Sequence, residues 1–103
     1  MYNVKANAIR KKGAIHVTVF GDLPDSCYEA RIADKYPGGN ITYPKDPGSA
    51  QVFIEETQKP ATGPCQDVLV PWVSQVEIPD KVHNEVTIFI NSKSNPITKT
   101  QVQ

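Results

Sequence analysis

The sequence predicts an all-β domain: an antiparallel, immunoglobulin-like β-sandwich of about seven strands with one disulfide, a small β-barrel being the second choice. Three observations lead there. Val and Ile together number twenty, against two Leu and one Met, and branching at Cβ restricts χ1 in a way that suits pleated strands. Apolar and polar residues alternate over short runs. Nine Pro and six Gly, mostly clustered, punctuate those runs with turns.

The elements follow in order. Residues 2–9 set Tyr2, Val4, Ala6 and Ala8 on one face, and Lys11-Lys12-Gly13 reads as the turn after them. Ala14 to Phe20 alternates strictly, with Ile15, Val17 and Val19 against His16 and Thr18; Gly21-Asp22-Leu23-Pro24-Asp25 is expected to end it. Residues 27–33 resume, with Tyr28, Ala30 and Ile32 on one side. Two breaker clusters, 34–40 and 44–48, surround a short Ile41-Thr42-Tyr43 segment and read as an excursion or edge hairpin, because Pro is poorly tolerated in central strands. Residues 50–56 form a further strand, and 57–64 a loop. In 66–78, Val68, Val70, Trp72, Val76 and Ile78 share a parity, with Ser74 its one polar member. Pro71 lies inside that run and cannot donate a ladder hydrogen bond, so two strands joined by a kink are expected, with a change of sheet there. A turn at 79–83 leads to the strand 85–91. Residues 1–91 are thus read as one sandwich domain and 92–103 as a polar, frayed C-terminal tail. Short turns between most strands imply that antiparallel pairing dominates.

Composition narrows the function classes. Eleven basic and eleven acidic side chains leave no net charge, so nothing favours electrostatic capture of nucleic acid or an anionic membrane. No apolar run approaches the roughly 20 residues of a membrane-spanning helix. No signal-peptide pattern opens the chain. Either the protein is cytosolic, or a leader has been removed and Met1 is a cloning start.

Cys27 and Cys65 each precede a strand, at turn signals. A bond between them is the first reading. It would close a loop of about 39 residues and contribute about 4 kcal/mol through loop-closure entropy. Two buried thiols or a reactive nucleophile are the rivals. A cysteine nucleophile needs a histidine held nearby, and the two candidates, His16 and His83, read as a solvated strand residue and a surface loop residue. The spacing of these residues lacks the paired short intervals of structural zinc sites, so no metal and no cofactor is expected. Glu55 and Glu56 are adjacent in a strand and point to opposite faces. Asp22, Asp25, Asp34, Asp46 and Asp80 lie in turns, where their local hydrogen bonding explains them, and no regular calcium-loop spacing links them. Gly38-Gly39 lacks the Lys-Ser/Thr of a phosphate loop. Asn40-Ile41-Thr42 matches a glycosylation acceptor. Trp72 reads as core, its indole N–H needing a partner. Phe53 and Phe89 fall off the inward parity and are expected to lie under the 34–48 excursion. Tyr36, Asn40 and Tyr43, among Pro and Gly, form the candidate binding loop.

The segments Gly21-Asp-Leu-Pro-Asp-Ser-Cys-Tyr-Glu29 and Cys65-Gln-Asp-Val-Leu-Val-Pro-Trp72, then Val86-Thr-Ile-Phe-Ile-Asn91, resemble a pattern of small exported bacterial β-sandwich proteins, often lipoproteins, of unassigned function. That pattern runs Gly-x-Leu-Pro-x-x-Cys, then Cys-x-x-x-Leu-x-Pro-aromatic, then a closing strand ending in Asn. The resemblance implies a sandwich with Cys27 and Cys65 bridged and lends no catalytic residue. The 34–48 excursion and Asn91-Ser92, where Asn-Gly is typical, depart from the pattern.

The expectation is a monomeric, non-enzymatic interaction or structural domain of an exported bacterial protein: periplasmic, anchored at the outer membrane or secreted. Its partner would be a protein or another envelope component, not nucleic acid. A protease-inhibitor-like protein presenting Leu23 to Ser26 or Lys59 to Pro64 is the first alternative, since preorganised loops lose little entropy on binding. A cysteine-dependent enzyme is the second.

Overall fold

In the computed structural model, residues 1–33, 49–60, 63–91 and 97–103 are described. Seven strands, β1 (Tyr2–Lys11), β2 (Ala14–Leu23), β3 (Tyr28–Ile32), β4 (Ala50–Gln58), β5 (Val70–Ile78), β6 (Glu85–Ile90) and β7 (Thr98–Gln101), form two sheets. One has the order β1-β2-β5 and the other β3-β4-β6-β7. The fold is an all-β sandwich, and neither sheet closes into the barrel that was the second choice.

Between the sheets lie Ala8, Ile15, Val17 and Val19 from the first and Val52, Ile54, Val86 and Ile88 from the second, all buried. These are the inward parities of the sequence, and branched side chains fill the gap between sheets in few rotamers. The β1–β2 connection is a two-residue hairpin with Lys11 opposite Ala14. Lys12 (φ 53°) and Gly13 (φ 79°) are both left-handed, the requirement of a type I′ turn, whose twist matches that of the strands it joins.

Several expectations are corrected. β2 continues through Gly21 and Asp22 to Leu23. The glycine is there because Met1 packs on it: a Cβ at position 21 would sit 2.5 Å from Met1 Sδ. Opposite it, β1 has a bulge between Tyr2 and Lys5, with Asn3 at φ 56°, and this shift turns Tyr2 outward. The 66–78 run is not two strands exchanging sheets. β5 is a single strand, with Val70–Ile78 paired to β2 in unbroken register and Pro71 opposite Asp22. An edge strand tolerates a missing N–H, so the proline forces no kink. Val68, expected inward, is exposed in the preceding loop.

Antiparallel pairing dominates as expected, in four of the five strand pairs among the described residues, with one exception. β4 and β6 run parallel, with Val52 opposite Ile88 and Ile54 opposite Ile90. β5 lies in the other sheet, so the chain leaves the β4 sheet and re-enters it travelling the same way. Immunoglobulin wiring sets the third strand beside the sixth; here β4 takes that place and β3 stands at the edge. The tail is not frayed throughout, because 98–101 form β7, antiparallel to β6. Beyond it Val102 bridges Ala8 in parallel, and Gln103 N–H donates to the Ala8 carbonyl at 2.9 Å, tying the second sheet to the β1 edge. On the opposite flank the Trp72 indole N–H donates to the Ala30 carbonyl at 3.1 Å, linking edge strands β5 and β3.

Gly13→Ala is expected to lower unfolding stability by about 1–2 kcal/mol, since an L side chain is strained at that φ, and Lys12→Asn to raise it modestly by suiting the left-handed position. Urea denaturation of the two variants checks both signs.

Candidate functional site

Two regions carry the exposed chemistry: the end of the sandwich where β2 crosses to β3 and β4 crosses to β5, and the outer face of the β1-β2-β5 sheet. At the first, Cys27 and Cys65 are joined in a disulfide with a Cα–Cα distance of 5.5 Å, and neither cysteine is free. The segments flanking it are braced by side-chain and backbone hydrogen bonds. Asp25 Oδ1 accepts the Cys27 N–H at 2.8 Å. Ser26 Oγ accepts the Gln66 N–H at 2.8 Å, and Gln66 O accepts the Ser26 N–H at 3.3 Å. Lys59 N–H donates to Cys27 O at 2.6 Å. The small polar residues before Cys27 thus satisfy backbone groups that no strand would pair.

A carboxylate oxygen of Asp25 and the two sulfurs lie within 4.8 Å of one another, the one such group of potential metal ligands among the described residues. Sulfurs bonded to each other offer no thiolate, the form that ligates a metal or attacks a carbon. The histidines lie at the far end. His16 is exposed on the outer face, seven residues before Leu23 along β2, which is about 23 Å of strand. His83 sits in the β5–β6 loop, its Nδ1 2.5 Å from Asp80 Oδ2. No cysteine–histidine pair is assembled. Tyr36, Asn40 and Tyr43 lie outside the described residues, as does the excursion expected to cover Phe53 and Phe89. Phe89 itself is buried, 2 % exposed, and its ring stacks on Phe53 with centroids 5.5 Å apart.

The Asp80 carboxylate organises the far-end turn. Oδ1 accepts the N–H groups of Val82 and His83, each at 2.8 Å, and Arg10 reaches the His83 carbonyl through Nη2. The hydrogen bonds from the His83 side chain, then from the His83 and Val82 backbone, hold the Asp80 pKa down to about 2. Hydrogen bonding to the charged form is the cause.

The outer face of the first sheet is where the sequence is least explicit. Cross-strand register arranges its outward side chains in rows: Lys5–Phe20–Val73, Asn7–Thr18–Gln75 and Ile9–His16–Glu77. Phe20 is 41 % exposed, Val73 60 % and Ile9 54 %. A shallow depression of about 480 Å³ is lined by Asn7, Ile9, His16, Thr18, Gln75 and Glu77 among others. A second, of about 280 Å³, involves Asn3, Phe20, Asp22, Pro71 and Val73. The signal was available: Phe20 is off the parity of Ile15, Val17 and Val19, just as Phe53 and Phe89 are off theirs. Parity alone does not tell which outward aromatics are covered.

No protein-family model, curated protein or solved structure matches this chain. Among the described residues there is no helix long and apolar enough to cross a membrane.

Replacing both cysteines (Cys27→Ala with Cys65→Ala) is expected to cost about 4 kcal/mol of unfolding stability, read by chemical denaturation. For Asp80, the folded pKa lies below the unfolded one. Its stabilisation is therefore full above the unfolded value of about 3.9 and is lost as pH falls through about 2. Asp80→Asn should flatten the acid limb of the stability–pH curve between those values, and should match wild type in the most acid samples.

Proposed function

We propose that this chain is a non-enzymatic, monomeric interaction domain of an exported bacterial envelope protein. The observation that carries this reading is the Cys27–Cys65 bond, because structural disulfides persist in oxidising compartments and are rare in the cytosol. Both thiols are consumed by the bridge, which removes the nucleophile a cysteine-dependent enzyme would need. What the fold leaves exposed is recognition chemistry: a sheet face with Phe20 and Val73 outward, and the bridged segments around Cys27 and Cys65. Zero net charge favours a protein or other envelope partner over nucleic acid.

Fractionation of cells that carry the gene, with thiols trapped by an alkylating agent at lysis, tests the reading. The domain is expected in the envelope or the medium with both cysteines unlabelled; recovery from the cytosol with both labelled contradicts it.

One observation favours protease inhibition as a second reading. Ser26, in the first candidate loop, is hydrogen-bonded to Gln66 beside the bridge, and such preorganisation lowers the entropy lost on docking; residues 61–62 of the second candidate loop lie outside the described residues. A protease panel checks it. Inhibition that survives changes to both Leu23–Ser26 and Lys59–Pro64 rules out those loops as the inhibitory element.

A further inference from the structure

The geometry points to the outer face of the β1-β2-β5 sheet as a binding platform for an extended, uncharged polysaccharide chain lying along β2. This deepens the interaction-domain reading and rests on it.

β2 is the central strand, laddered to β1 on one side and β5 on the other, so His16, Thr18 and Phe20 are held on one face at steps of about 7 Å. The middle row, Asn7–Thr18–Gln75, is amide, hydroxyl, amide. Each of these groups both donates and accepts, and none of the three side chains is bonded to another described residue. On either side of that row stand an apolar or aromatic group: Phe20 one row towards the disulfide end, Ile9 one row towards the other. A pyranose ring has the matching chemistry, with hydroxyls around its rim that donate and accept and C–H faces that lie on apolar surface.

Charge and shape favour the same ligand class. Lys5 and Lys11 balance Asp22 and Glu77 around the face, so neither a polyanion nor a polycation is selected. The larger depression, about 480 Å³, is of a size found in ligand sites, but it is shallow. With the second depression lying further along β2 on the same face, the surface suits a chain laid across both better than a small molecule enclosed by one. A protein partner would call for an apolar centre and a polar rim. Here the neutral polar row is central and the apolar groups flank it.

The test titrates the intact, oxidised, ¹⁵N-labelled protein with chitohexaose, cellohexaose, maltohexaose and xylohexaose in turn, following amide shifts. At least one probe is expected to give saturable shifts confined to β2 and its neighbours near Thr18, Phe20 and Gln75. The pair Asn7→Ala with Gln75→Ala should weaken that binding about tenfold or more, while leaving the urea unfolding midpoint and the remaining spectrum in place, since both side chains point to solvent. Phe20→Ala is the second variant, with the same expected direction. Absence of shifts with all four probes, shifts that map elsewhere, or an affinity unchanged in both variants overturns the inference. So does sedimentation showing a dimer that Phe20→Ala dissolves, which would make the face a protein interface. Any of those results together with an oxidised envelope fraction defeats the polysaccharide platform and leaves the interaction-domain reading in place, the dimer overturning only its monomeric part.

Discussion

The chain changes sheet at the β2–β3 and β4–β5 connections, both at one end of the sandwich, and the Cys27–Cys65 bond joins those two crossings to each other. Packing between sheets is non-directional: alternating Val and Ile side chains bury area without fixing how one sheet is offset against the other. The covalent link, with the Ser26–Gln66 and Lys59–Cys27 hydrogen bonds around it, sets that offset at the crossing end. A domain of 103 residues has a core of modest area, so a cross-link that removes loop entropy from the unfolded chain is a large share of its stability.

The remaining margins are secured by other means. Edge strands present unpaired backbone groups to any passing chain. On one flank the Trp72 indole takes up an Ala30 carbonyl of the β3 edge. On the other, Val102 and Gln103 continue past β7 onto the edge of β1. At the end opposite the disulfide, Asp80 and Arg10 hold the third crossing, between β5 and β6. With flanks and ends engaged, the outer face of the first sheet is left as broad, fixed and exposed surface. That is why the proposed recognition role falls to it and to the segments joined by the disulfide.

The all-β class, most strand positions and the inward parity of Ile15, Val17, Val19, Val52, Ile54, Val86 and Ile88 were legible because alternation at period two reports which face is buried. The cysteine pair was legible as a candidate because both residues stood at turn signals before runs that read as strands, although only Cys27 directly precedes one, β5 beginning at Val70. Strand partnership was not. Alternation says which side a residue faces and nothing about its neighbour, so the parallel β4–β6 pair was invisible. β7 carries Thr98-Lys-Thr-Gln101, a segment without apolar alternation, and its strand comes from pairing with β6. Gly21 and Pro71 misled for one reason. Each is a breaker by propensity, yet tertiary context overrides it: Gly21 makes room for Met1, and Pro71 sits on an edge. The exposed face was half legible. Phe20 was readable as outward, but its alignment with Thr18 and Gln75 into rows depended on register.

Native-state hydrogen exchange on the oxidised protein and on the same protein reduced and alkylated tests the central constraint most directly. If the bridge fixes the crossing end, protection falls first and furthest at the amides of Cys27, Lys59 and Gln66, while the β1–β2 hairpin amides near Ala14 keep a larger share of theirs. Equal protection in the two forms, or a loss spread evenly along the chain, would contradict the claim that this bond sets how the two sheets sit together.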